Sequence, residues 1–117
     1  MLAKPNRLKD KAKFAEIYKQ GKRYYSPYFL LFILRDNAVQ EPIFGFVASK
    51  KIGSAVNRNR SKRLLREAIK AELPVLKGAF SAIIIASTKT PTAKLEDIKT
   101  YLQQAFRKAS LYKQPEN

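Results

Sequence analysis

Apolar positions recur along this chain with two different periods, and their changes of period lay out its elements. Within residues 10–20, Phe14, Ile17 and Tyr18 fall on one helical face, and Asp10 is a favourable capping residue. Gly21 follows and is expected to end that helix in the left-handed conformation. Residues 23–25 and 28–35 read as extended, with Pro27 as a bend between them. Residues 36–42 have turn composition, and residues 43–49 form a further strand, expected to run antiparallel to the one before it. Ser54 is a candidate cap for a long helix reaching Glu72, with Pro74 just beyond its end. Residues 79–87 are apolar without alternation around Ile83, Ile84 and Ile85, which predicts a strand buried on both faces. Residues 93–109 close the pattern as an amphipathic helix with Leu95, Ile98, Leu102, Phe106 and Ala109 on one stripe. Helix, strands, helix, strand, helix is the signature of an α+β sandwich.

Charge changes the picture. The 117 residues carry 24 Lys and Arg against 9 Asp and Glu, a net charge of +15. Such self-repulsion costs stability unless a polyanion neutralises it, so nucleic acid or an anionic membrane surface is the expected partner. Apolar residues make up 45%, enough for one folded unit over residues 1–117. Cys and His are both absent. No disulfide framework or thiolate metal site is therefore available, and the commonest general base and metal ligand are missing. Residues 1–14 have no apolar signal core, and the longest apolar run, residues 28–34, is too short to span a bilayer; a cytoplasmic location is expected.

The cations are not spread evenly. Between Lys50 and Lys70 eight Lys and Arg face one acid, Glu67. On a helical projection Ser61, Leu64, Leu65, Ala68 and Ile69 share one side, while Asn59, Lys62, Arg63, Arg66 and Lys70 share the other. Arg58 and Arg60 lie at the borders. A solvated helix face normally mixes Glu with Lys at i, i+4, and this one hardly does, so it reads as a phosphate-binding surface. The forked donors of Arg and Asn suit directional bonds to phosphate and base edges.

Ser49-Lys50-Lys51-Ile52-Gly53-Ser54-Ala55-Val56, followed by Asn57-Arg58-Asn59-Arg60-Ser61-Lys62-Arg63-Leu64-Leu65-Arg66-Glu67, resembles the signature of the bacterial ribonuclease P protein family. Asn6-Arg7-Leu8 near the start, and Phe106-Arg107-Lys108 with Ser110-Leu111-Tyr112 near the end, extend the resemblance over nearly the whole chain. The resemblance implies an αβββαβα sandwich: a central mixed sheet, three helices and a left-handed βαβ crossover through the basic helix, as in a fold shared with a ribosomal protein. Pattern alone would have favoured a right-handed connection. It also implies a protein that holds RNA while a catalytic RNA hydrolyses one phosphodiester bond. That reaction releases the 5′ leader of precursor tRNA, with Mg²⁺ held mainly by the RNA.

By the same resemblance, Lys50, Lys51, Arg58, Asn59, Arg60, Lys62, Arg63 and Arg66 would contact the catalytic RNA, with one protein per RNA. Phe14, Tyr18 and Phe32 would line a cleft for the single-stranded leader, where aromatic faces stack on bases with little sequence preference. Helical and strand spacing equally allows those three to be core residues. Tyr24, Tyr25 and Tyr28 carry no assignment.

No catalytic residue is expected on the protein. Its acids are scattered, and the adjacent Glu96 and Asp97 suit the first turn of a helix better than a metal site. Three rivals remain at this stage: a general RNA-binding or ribosomal protein, a self-sufficient metal nuclease, and a membrane-surface binder.

Overall fold

The computed structural model describes residues 6–113; residues 1–5 and 114–117, the ends of the expected unit, lie outside the described residues. Helix α1 spans Lys11–Gln20, and Asp10 caps it by accepting from the Ala12 N–H at 2.9 Å. Gly21 does not take the left-handed conformation expected of it. It is extended, at φ −69° and ψ 149°. Glycine is needed there for space: a Cβ would lie 2.6 Å from the Ile17 carbonyl oxygen, to which the Gly21 N–H donates at 2.7 Å.

Four strands follow: β1 Lys22–Tyr25, β2 Phe29–Arg35, β3 Ile43–Val47 and β4 Phe80–Ala86. They lie in the order β1-β2-β4-β3. β2 pairs antiparallel with both β1 and β4, while β3 pairs parallel with β4. β3 therefore runs opposite to β2, yet β2 is not its partner, because β4 is inserted between them. The burial explains the order. Every β4 residue except Ile85 is buried, and so unbroken an apolar strand needs cover on both faces and both edges. β3 keeps half-buried residues at Ile43, Phe46 and Val47 and takes an edge.

Helix α2, Ala55–Glu72, joins β3 to β4, and α3, Leu95–Lys108, lies beside it. Both pack on one face of the sheet, against Phe29, Leu31, Ile33, Phe44, Phe80, Ala82 and Ile84. The opposite face carries α1, whose Ile17 packs with Phe32 and Ile83. The stripe expected of α3 is the buried one: Ile98, Leu102 and Phe106 are fully enclosed. Its C-terminus closes with the Leu111 N–H on the Phe106 carbonyl and Ser110 at φ 57°, the left-handed residue of a Schellman-type end. The chain then returns to α2, where the Tyr112 hydroxyl donates to the buried Glu72 carboxylate at 3.0 Å. Burial and that carboxylate push the Tyr112 phenol well above its ordinary range.

One side chain ties α1 to the sheet. Asp36 accepts from the Lys13 ammonium at 2.8 Å, from the Ser81 hydroxyl at 3.3 Å and from the Ala38 N–H at 3.0 Å. The Lys13 bond is the largest cause holding the Asp36 carboxyl below its ordinary 3.8. The same bond holds the Lys13 ammonium above its ordinary 10.5. A depressed carboxyl stabilises the fold above its unfolded titration and loses that contribution as pH falls through its folded value. A raised ammonium stabilises below 10.5 and loses its contribution as pH rises beyond that. Asp36→Asn is expected to lower stability at pH 7 by about 1–2 kcal/mol. The difference from the parent should begin to shrink as pH falls below the ordinary carboxyl value of 3.8 and vanish only below the depressed folded value. Chemical unfolding at both pH values measures it; an equal gap at both would remove the ion pair from the account.

Candidate nucleic-acid interface

Ser54 starts α2 by accepting from the Asn57 N–H at 3.2 Å. The approach is a single 3₁₀ turn, Lys50–Ile52, that buries Ile52 and leaves Lys50 and Lys51 exposed. Gly53 links turn to helix at φ 110° and ψ −131°, a conformation open to glycine alone. A Cβ there would meet nothing closer than Asn57 Nδ2 at 3.8 Å, so strain, not crowding, is what excludes other residues.

The helix presents its cations as its periodicity predicts. Ser61, Leu65, Ala68 and Ile69 are buried against the sheet, and Asn59, Arg60, Arg63 and Lys70 are exposed. Asn59, Arg60, Lys62, Arg63 and Arg66, with Val56 and Glu67, line a shallow concavity of about 720 Å³. Arg66 is half-buried, its guanidinium 5.5 Å from the centre of the Phe46 ring, which braces it from β3. Arg58 stands apart: it donates to the Gly53 carbonyl at 2.6 Å, tying the helix start to the 3₁₀ turn. Among the described residues the ion pairs are Lys13 with Glu16 and Lys13 with Asp36, so no α2 cation is neutralised by a carboxylate.

The aromatic trio lies on the other face of the sheet. Phe14 and Tyr18 are 6.4 Å apart between ring centres, and Tyr18 meets Phe32 edge-on at 5.2 Å. Tyr18 is 39% exposed and Phe32 only 6%, so Tyr18 offers a ring to a ligand while Phe32 forms the floor beneath it. Partial burial raises the Tyr18 phenol above its ordinary value, which keeps the hydroxyl protonated. Phe14 rests directly on the sheet: a Cβ on Gly45 would come within 2.5 Å of its ring.

A family model for ribonuclease P matches residues 2–110. The chain belongs to the bacterial ribonuclease P protein family. The ribonuclease P protein components of Bacillus velezensis and Bacillus pumilus are 41% and 36% identical to it. The first alignment covers 96% of each chain; the second covers 97% of this chain and 95% of the relative. Among solved structures, the Staphylococcus aureus RNase P protein superposes with a TM-score of 0.80 at 28% identity, over 92% of this chain and 98% of that one. The Thermotoga maritima RNase P protein, 24% identical, shares the fold at a TM-score of 0.76 over 87% of this chain and 96% of that one. The molecule is thus the protein component of the ribonuclease P ribonucleoprotein, an endoribonuclease, and its partner is the ribonuclease P RNA.

Sequence reasoning missed one member of the aromatic face of this ribonuclease P protein. Arg23, opposite Phe32 in the β1–β2 register, holds its guanidinium 5.7 Å from the Phe32 ring centre. The alternation of residues 22–25 carried the signal, but only the register reveals which ring the cation covers. The contact between Gly45 and Phe14 likewise has no trace in the sequence pattern.

Both glycines give expected outcomes. Gly45→Ala must displace the Phe14 ring from the sheet, at a cost of about 1–3 kcal/mol read from denaturant unfolding. It should also quench any α1-face RNA contact, whereas α2 contacts survive. Gly53→Ala is expected to destabilise by about 1–3 kcal/mol through backbone strain. Hydrogen exchange should then rise first across residues 50–57; exchange unchanged there would mean the turn tolerates a side chain.

Proposed function

We propose that this ribonuclease P protein divides its RNA contacts between the two faces of its sheet. The α2 face and its approach, Lys50, Lys51, Arg58, Asn59, Arg60, Lys62, Arg63 and Arg66, hold the catalytic RNA. The α1 face, Phe14 and Tyr18 with Phe32 beneath them, holds the unpaired 5′ leader of precursor tRNA. The observation that carries this reading is the opposition itself: cations without carboxylate partners on one side, aromatic rings around a half-exposed tyrosine on the other. Phosphates are contacted electrostatically, and unpaired bases by stacking.

The protein acts by binding. Among the described residues no three His, Cys, Asp or Glu side chains gather as a metal site. In this reading Mg²⁺ is held mainly by the RNA. Holding the leader favours precursor over mature tRNA, which lacks that segment, and so favours the complex that reacts over the product. One folded RNA-binding unit serves each catalytic RNA in the cytoplasm. Among the described residues no helix is long and apolar enough to cross a membrane.

Reconstitution with a bacterial ribonuclease P RNA at low Mg²⁺ tests the division. Tyr18→Ala should weaken precursor binding by about 1–3 kcal/mol while leaving mature tRNA binding unchanged, and Tyr18→Phe should retain most of the parent affinity. Arg60→Ala with Arg63→Ala should instead weaken assembly with the catalytic RNA. With about six phosphates held, assembly affinity should fall on the order of 10³-fold between 50 and 200 mM salt. A flat salt response, or equal losses for precursor and mature tRNA with Tyr18→Ala, would refute the assignment.

A further inference from the structure

Edge strand β1 carries chemistry on both of its faces. Arg23 and Tyr25 pair with Phe32 and Leu30, which belong to the α1 side of the sheet. Lys22 and Tyr24 pair with Ile33 and Leu31, which belong to the α3 side. On that second side a groove of about 550 Å³ runs between β1 and α3. Tyr24, Tyr25 and Tyr101 line it with Lys22, Arg23 and Lys108, strand β1 contributing from its rim, and among the described residues no acidic side chain does. The Lys22 ammonium lies 5.8 Å from the centre of the Tyr24 ring, and Tyr28 braces Tyr101 edge-on at 5.8 Å. Tyr25 stands at the rim, 73% exposed, where strand β1 ends.

Interleaved aromatic rings and cations without carboxylates form a surface suited to unpaired nucleic acid. β1 is also the outer strand, so its outward backbone N–H and C=O groups have no sheet partner. An extended peptide could use such an edge as well. Two observations favour RNA. The groove sets tyrosine rings beside cations, and among the described residues its lining holds no carboxylate to repel a phosphate. It is also continuous with the α1 face: from Tyr18 the path runs over Phe32 under Arg23 to the exposed Tyr25, at the edge where the groove begins.

We propose that the upstream nucleotides of a long leader turn around the β1 edge at Tyr25 and enter this groove. There their bases meet Tyr24 and Tyr101, and their phosphates meet Lys22 and Lys108. The proposal rests on the α1-face reading above and adds to it a determinant of leader length. Short leaders end on the α1 face; only longer ones reach the α3 side.

The holoenzyme tests it with precursor tRNAs whose leaders lengthen one nucleotide at a time. Affinity should rise in two stages, the first sensitive to Tyr18→Ala and the second to a Lys22→Glu, Lys108→Glu double variant. Both lysines are exposed, so melting of the double variant should match the parent. The double variant should remove the second gain, on the order of tenfold, and leave short-leader binding and cleavage unchanged. A 4-thiouridine placed at the upstream end of a long leader should photocrosslink to Tyr24 or Tyr101.

Equal weakening of short and long leaders, an unaltered long-leader gain, or crosslinks confined to α1 and α2 would each overturn the proposal while leaving the α1-face reading intact. Tyr18→Ala without effect on any leader would sink that reading instead. Oligoglutamate competing for the second stage as well as oligouridylate would show that the groove selects negative charge or an extended chain, and would also overturn it.

Discussion

Strand β4 has no face toward water, and the rest of the architecture follows from giving it cover. A run of Phe80, Ser81, Ala82, Ile83 and Ile84 with every residue buried needs helices on both sides and strands on both edges. β2 and β3 supply the edges, α2 with α3 one cover and α1 the other. Because the cover is two-sided, the molecule acquires two outer surfaces separated by a sheet. The polar exception inside β4 is Ser81, whose hydroxyl finds a partner in Asp36, the residue that also pins α1 through Lys13. The thinner cover, one helix of ten residues, is therefore held by a charged clamp as well as by Ile17.

Five of the nine acids are placed to serve the fold. Asp10 caps α1, Asp36 clamps it, Glu72 accepts from Tyr112, and Glu96 and Asp97 sit in the first turn of α3, where they favour the helix dipole. None of these neutralises α2. The one acid lining the basic concavity of α2, Glu67, forms no ion pair among the described residues, so that face keeps most of its field for a polyanion, while the interior resists self-repulsion with apolar burial concentrated in the sheet. Arg58 and Arg66 are the exceptions to an outward display: one ties back to Gly53, the other rests over Phe46. Both are thereby held in place, which would reduce the side-chain entropy lost in any contact they make.

Much of this was legible in the chain because one periodicity decides one face. The α2 division into Leu65, Ala68 and Ile69 inward and Asn59, Arg60 and Arg63 outward follows from 100° steps alone, since a helix lying on a sheet has only one side to bury. The unbroken apolar stretch around Ile83 announced two-sided burial for the same reason. What stayed hidden depends on contacts between distant residues. Strand order is one such case, because periodicity gives a strand its faces and says nothing of its neighbours. The depth of Phe32 is another. The family resemblance placed it on a stacking surface, whereas its interior strand makes it the floor under Tyr18. Gly21 was legible as a helix end but not in its conformation, because the crowding that requires glycine comes from Ile17 and Ile33.

β1 shows what such hidden contacts add. Residues 23–25 read only as extended in the sequence; strand β1 begins at Lys22, and two of its four side chains are cations of the sort that discourage edge-to-edge association. Alternation sends Arg23 and Tyr25 to one face and Lys22 and Tyr24 to the other. Each face of the edge therefore carries one cation and one ring. A central strand could not do this, because both of its faces are covered by helices and both of its edges are paired. The edge position that keeps β1 out of the core is what lets four consecutive residues address both sides of the molecule.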